Sequence, residues 1–271
     1  MSRLRPGPVA LRVCVAVIGV LMIAPTIIIV VASFGSTRSL AFPPEGISTQ
    51  WYENFFTDAW LPTAKSSLQI AVLTVLLATP LGTMAALGVA RSRVPGIRVL
   101  QALFIAPMII PTVILGIGLF QVFSTWRITG SMLGLVLAHT ALALPFVFVT
   151  VGASLQTVDP ALERAAANLG ANPLRTFVQI TLPLILPGVL SGALFAFVTS
   201  LDEVVVAIFL TSPQVTTLPV QIFATLQNYL DPTVAAISTL LLLVTLVVLL
   251  VTAVVDRARK TRGGDSPGAL R

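Results

Sequence analysis

A chain of 271 residues in which 56% of side chains are hydrophobic and 10% are charged, with a mean hydropathy of +0.99, carries too little polar surface for a water-soluble domain and reads as an integral membrane protein. Its net charge of +6 comes from the flanks of apolar runs, so it calls for no nucleic-acid partner. A single cysteine, Cys14, excludes a disulfide within the chain, and one histidine beside one cysteine excludes a dedicated zinc site.

Six stretches reach the roughly 20 apolar residues that a spanning helix requires: residues 11–33, 66–90, 99–123, 132–155, 182–211 and 233–255. All are longer than a barrel strand and none alternates polar with apolar residues. Backbone groups in lipid must be bonded within the segment, which leaves helices. The fold class expected is therefore all-α: one polytopic transmembrane domain over residues 1–271, with six transmembrane helices.

The first run follows a basic start, but it is long for a signal-peptide core and no clear small-x-small cleavage site follows it, so a retained helix is expected. Residues 34–65 connect it to the second run and carry Trp51, Tyr52 and Trp60, which suit a membrane–water belt or a docking surface. Prolines recur inside the runs, at Pro25, Pro80, Pro107, Pro111, Pro145 and Pro187, and neighbouring helices can repair the bonds they remove. In the third run Gly116-Ile117-Gly118 opens like a dinucleotide fingerprint and fails at Gln121. In the fourth, His139 is expected to be a packing residue hydrogen-bonded across the bundle rather than a proton relay.

The basic residues divide unequally. Thirteen lie on one set of flanks: Arg3, Arg5, Arg12, Arg91, Arg93, Arg98, Arg164, Arg175, Arg257, Arg259, Lys260, Arg262 and Arg271. Three, Arg38, Lys65 and Arg127, lie on the other. An excess of Lys and Arg marks the cytoplasmic side, so a multi-pass topology with both termini cytoplasmic is expected.

Neither Lys65 nor Lys260 follows a glycine, so the chain has no phosphate-binding Walker loop, and it has no Gly-x-Ser-x-Gly elbow. The chain is expected to be a transporter subunit and not an enzyme. Three readings stand on these grounds: a subunit powered by a separate protein, an ion-coupled carrier, or a channel.

The connection between the fourth and fifth runs reads DPALERAAANLGANPLRTFVQITLPLILPG over residues 159–188. Asp159 can cap a helix that starts at Pro160, and Gly170 can end it in the left-handed conformation. Asn172-Pro173 repeats the start signal for a second short helix running into Leu182-Pro183. Two short helices on a glycine elbow make a rigid protrusion, with Ala165, Ala166 and Leu169 as an apolar face and Arg164, Asn168 and Arg175 as polar positions.

This stretch resembles the EAA loop of binding-protein-dependent ABC importer permeases: Ala165, Ala166, Gly170, Ile180, Leu182 and Pro183 fall in register. Arg164 occupies the position of the family's glutamate, with Glu163 one residue earlier, a shift of about 100° around a helix. Trp51-Tyr-Glu-Asn-Phe-Phe, Thr199-Ser-Leu-Asp-Glu-Val-Val-Val-Ala, Thr217-Leu-Pro-Val-Gln-Ile-Phe and Asp231-Pro-Thr-Val-Ala-Ala-Ile-Ser-Thr extend the resemblance to the second permease of spermidine/putrescine importers, from about residue 10 to residue 256. Permeases of iron, opine and aminophosphonate importers are related.

The resemblance implies a type I importer permease in the bacterial cytoplasmic (inner) membrane, paired with a second permease subunit as a heterodimer. It further implies a cytoplasmic ATPase dimer as partner and an extracytoplasmic binding protein that delivers cargo, for which Trp51, Tyr52 and Trp60 are candidate docking residues. The chain itself is expected to bind no cofactor, ATP and Mg being used by the partner ATPase. In that family the 159–181 loop couples to the ATPase, which implies coupling roles for Glu163, Arg164, Ala165, Ala166, Gly170 and Arg175.

The fifth run holds two adjacent acids, Asp202 and Glu203. On a continuous helix starting near Leu182, Asp202 lies about 30 Å along the axis, in the outer half of the membrane. Acids there are costly and line a pathway or pair with another chain. Asp202 would share a stripe with Phe195 and Phe209, and Glu203 a face with Thr199. An acid between two rings suits a flexible di-cation; for the phenylalanines the alternative is plain packing, and for the acids a structural salt bridge to the partner permease. An ion-coupled carrier would use the same acids as proton sites.

Overall fold

The computed structural model describes residues 8–263 except Asp58, Arg93 and Tyr229. Of the basic residues counted above, Arg3, Arg5, Arg93 and Arg271 lie outside the described residues, as do the side chains of Arg257, Arg259, Lys260 and Arg262. Among the described residues every regular element is helical: α1 (Pro8–Ala32), α2 (Gln50–Phe55), α3 (Leu61–Arg91), α4 (Ile97–Ile109), α5 (Thr112–Thr125), α6 (Met132–Leu155), α7 (Pro160–Asn168), α8 (Pro173–Thr176), a π-helical turn (Phe177–Thr181), α9 (Leu182–Asp202), α10 (Val205–Leu210), α11 (Leu218–Asn228) and α12 (Thr233–Gly263).

Among these residues, five helical stretches are long and apolar enough to cross a bilayer: Leu11–Ala32, Leu61–Arg91, Met132–Leu155, Pro173–Asp202 and Thr233–Thr252. The α4–α5 pair makes a sixth if it is counted as one broken span. This is a correction to the expected third run, which is two helices meeting at 106°. The cause is local. Ile110 precedes a proline and is pushed out of the helical region, to φ −71°, ψ 131°, and Pro111 has no N–H to continue the ladder. The fifth run is corrected too. Its helix begins earlier, because α8, the π turn and α9 run on without a break, and it ends at Asp202 instead of continuing to residue 211.

The chain packs as two units, Met1–Leu61 with Ile222–Val244 and Pro62–Gln221 with Thr245–Arg271. In the first, the indole N–H of Trp51 donates to the Gly35 carbonyl at 2.7 Å, the Tyr52 hydroxyl pairs with Ser33 Oγ at 2.6 Å, and Asn54 Nδ2 donates to Thr233 Oγ1 at 2.9 Å. Trp51 and Trp60 are buried, at 9% and 4% exposure. Trp51 therefore braces its own unit, and neither indole is available as a docking surface.

The second unit is built around α6. Ser131 caps its start by accepting from Gly134 N at 3.1 Å. Small residues on its neighbours let backbones approach, the usual basis of helix pairing in lipid. A Cβ at Gly192 of α9 would lie 2.6 Å from Thr150 Oγ1 and 2.9 Å from Val147 Cα, and one at Gly82 of α3 would lie 2.7 Å from Val147 Cβ. Phe104 of α4 stacks on Phe148 at 5.3 Å. Gly116 of α5 faces Phe209 of α10, where a Cβ would stand 2.7 Å from the ring. The apparent fingerprint glycine is thus a packing glycine.

Gly192→Ala is expected to destabilise the protein by about 1–3 kcal/mol through overpacking. Gly118→Ala, whose Cβ would meet open space, should be neutral or slightly stabilising, because alanine is the better helix former. Thermal unfolding in detergent, followed by circular dichroism, reads the difference; equal melting temperatures for the two variants would contradict the packing described.

Candidate functional site

Two places gather the polar residues that the sequence singles out: the loop between α6 and α9, and the end of α9. In the loop each cap falls where it is expected. Asp159 Oδ1 accepts from Ala161 N at 2.8 Å and Pro160 is the first residue of α7. Gly170 takes φ +84°, with Gly170 N bonded to Ala167 O and Ala171 N to Ala166 O, both at 3.0 Å, a Schellman closure. Asn172 Oδ1 accepts from Arg175 N at 2.8 Å, which starts α8. Beyond it the π turn carries the chain into α9.

The faces of α7 differ from expectation in one respect. Arg164 and Ala165 are exposed, together with Arg175 and Leu174, and Leu169 is 89% exposed. Ala166 is buried and so is not part of the outward apolar face. It lies three residues after Glu163, on the same stripe, and that stripe turns inward. Glu163 Oε1 forms an ion pair with Arg91 Nη2 at the end of α3 and accepts from the Thr181 hydroxyl at 2.5 Å. Arg91 Nη2 also lies 3.3 Å from Thr181 Oγ1. Glu163 is thus committed within its own chain, while Arg164 points outward. Arg175 Nε donates to Gln179 Oε1 at 3.1 Å. Between α7 and the turn after it lies an open cleft of about 360 Å³, lined by Leu162, Ala165, Leu169, Arg175 and Gln179 among others.

At the end of α9 the helix stops between the two acids. Glu203 is extended, at φ −73°, ψ 115°, and its Oε1 accepts from Val206 N at 2.7 Å. Val204 is the N-cap of α10 and makes no side-chain cap bond; from the residue before it, the Glu203 carboxylate satisfies a backbone donor that the new helix leaves open. Asp202 is exposed and Glu203 half-buried. Three residues before Glu203, the buried Ser200 Oγ lies 2.8 Å from His139 Nδ1 of α6, the cross-bundle bond expected of that histidine. Thr199 is half-buried.

The expected ring pair does not form around Asp202. Phe195 shares α9 with Asp202 and stacks on Phe146 at 6.1 Å. Phe209 sits on α10, beyond the break, and packs on Gly116. The equal spacing of Phe195, Asp202 and Phe209 in sequence counts only on one continuous helix, and the helix is not continuous. Three participants lacked a decisive signal in the sequence. Arg91 was legible only as a basic residue at a helix end, Thr181 carried no mark, and nothing in the sequence marked Glu203 as the acceptor for Val206 N.

With this geometry in view, residues 78–261 match the protein family described as binding-protein-dependent transport system inner membrane component. The chain is 35% identical over 270 residues to the putrescine transport system permease protein PotI of Escherichia coli strain K12, covering 96% of each. It is 33% identical over 240 residues to the spermidine/putrescine transport system permease protein PotC of the same strain, covering 88% of this chain and 90% of that one. Among solved structures it is similar to a bacterial ABC transporter involved in import of the acidic polysaccharide alginate, with a TM-score of 0.74 and 17% identity over 92% of this chain and 94% of that one, a likeness of fold.

Glu203→Ala is expected to destabilise the protein by about 1 kcal/mol, the cost of a lost hydrogen bond, while Asp202→Asn should leave the melting temperature unchanged. Paired thermal melts in detergent check this; a larger loss in Asp202→Asn would reverse the division of roles between the two acids.

Proposed function

Given that this chain belongs to the binding-protein-dependent transport system inner membrane component family and is a permease subunit of an ABC importer, we propose that its cargo is a polyamine of the putrescine or spermidine class and that Asp202 lies on the cation's route. The observation that supports the cargo most is the agreement with the putrescine permease along nearly the whole chain. The chemistry of the end of α9 is consistent with it. Asp202 is an exposed carboxylate on a helix with no other acidic or basic residue. An acid there lowers the cost of moving a cation through a low-dielectric passage. Glu203, spent on Val206 N, serves by ending α9 where Asp202 is presented.

In this reading the subunit lies in the bacterial inner membrane with both termini cytoplasmic, following the unequal division of basic residues. The α7–α8 elbow then faces the cytoplasm. Its exposed Leu162, Leu169 and Leu174 and the outward Arg164 and Arg175 form the contact with an ATPase dimer, which binds ATP and Mg and hydrolyses the nucleotide. A second permease completes the passage, and a soluble binding protein supplies the cation from outside. The two stiff caps at Asp159 and Asn172 keep the elbow from bending when it is pushed.

Vesicles carrying the whole complex should take up radiolabelled putrescine or spermidine in the presence of the binding protein, and vanadate should block the uptake. Asp202→Asn is expected to cut the rate about tenfold, as a loss of about 1.4 kcal/mol would. Undiminished uptake by an assembled Asp202→Asn complex refutes the route; uptake insensitive to vanadate refutes the ATP-driven reading.

A further inference from the structure

The covalent path from α7 to α9 changes course at two places. One is Gly170, in the left-handed conformation at φ +84°. The other is the π turn Phe177–Thr181, of a kind frequent at functional sites. Along the backbone α7 reaches α9 only by way of both.

A second path bypasses both. Glu163 of α7, Arg91 at the end of α3 and Thr181 at the start of α9 form a closed triad. Thr181 donates its hydroxyl hydrogen to Glu163 Oε1 at 2.5 Å, and Arg91 Nη2 donates to Glu163 and reaches Thr181 Oγ1 at 3.3 Å. Thr181 is fully buried, so its hydroxyl has little freedom to find another partner. The ion pair itself is partly exposed, at 46% for Arg91 and 22% for Glu163. Such a pair contributes little to stability, but a three-way junction fixes geometry.

Both helices that meet there are long levers. α3 runs about 36 Å from Arg91 back to Ser67, whose Oγ accepts from Leu218 N at 2.7 Å where α11 begins. α9 runs about 32 Å from Thr181 to Asp202. We propose that the Arg91–Glu163–Thr181 triad is the mooring through which a tilt of α7 is delivered to α3 and α9 together, reaching the α11 start and the Asp202 end in one movement. This rests on the importer reading above and assigns Glu163 a positioning role inside its own chain in place of a contact with the ATPase.

The test uses the complete transporter in proteoliposomes and reads the ATP hydrolysed per putrescine imported. Glu163→Gln is expected to raise that ratio about fivefold, and Thr181→Val, which keeps the shape of the side chain and leaves the ion pair, should raise it too. The exchange Arg91→Glu with Glu163→Arg should return the ratio towards that of the parent, an outcome that a merely destabilised loop would not give. If Glu163→Gln fails to assemble, Thr181→Val decides. A second readout needs no cargo: spin labels at Gly88→Cys on α3 and Ala161→Cys on α7, in a chain with Cys14 replaced, should keep one separation with ATP and with ADP in the parent and lose it in Glu163→Gln. Parent vesicles that are coupled, with variants coupled alike and label separations unaltered, overturn the mooring alone. Parent vesicles that import without hydrolysing ATP overturn the importer reading and the mooring with it. Parent vesicles that hydrolyse ATP but import no putrescine overturn the cargo, and the label distances then decide the mooring.

Discussion

Helix α6 can hold its unit together because two neighbours, α3 and α9, come close enough to touch its backbone and side-chain roots. In lipid there is no hydrophobic gain from putting one apolar helix against another, so pairing depends on close contact and on a few polar bonds. Gly192 of α9 and Gly82 of α3 both meet α6 around Val147, and the buried His139–Ser200 bond sets the register between α6 and α9. Larger residues at the glycines would separate the rods, and the bond from His139 would no longer reach.

The two places where a long apolar run fails to be one helix share a physical logic. A break inside a membrane protein leaves backbone groups open, and each must find a partner. At Ile110-Pro111 the proline removes the donor that would have been orphaned. At Glu203 the chain keeps its donors and supplies a side-chain acceptor, so that Val206 N is satisfied within three residues. The second solution gives Glu203 a structural duty and leaves Asp202 beside it with none. Adjacent acids of the same charge thereby take different work.

The cytoplasm-facing elbow of the proposed topology shows the same economy of local signals. Asp159-Pro160 and Asn172-Pro173 are two copies of one start signal, and the Schellman closure at Gly170 sets the angle between them. These contacts lie within six residues of one another in the chain, so the sequence displays them openly. The inward turn of Glu163 does not follow from them: the partner that draws it in, Arg91, is 72 residues away.

That contrast marks the limit of what the amino-acid sequence determined by itself. Helical class, the approximate spans, the caps of α7 and α8 and the coupling loop's resemblance to importer permeases all follow from hydropathy and from hydrogen bonds made within a few residues. Both helix breaks had local causes, but hydropathy is blind to them, because Ile, Pro and Val are as apolar in a break as in a helix. Only the tertiary structure decided which side chains meet: Glu163 with Arg91 and Thr181, Phe209 with Gly116, and Trp51 with Gly35. A side chain's partner depends on which helices are packed side by side, and the backbone geometry of a single helix leaves that open.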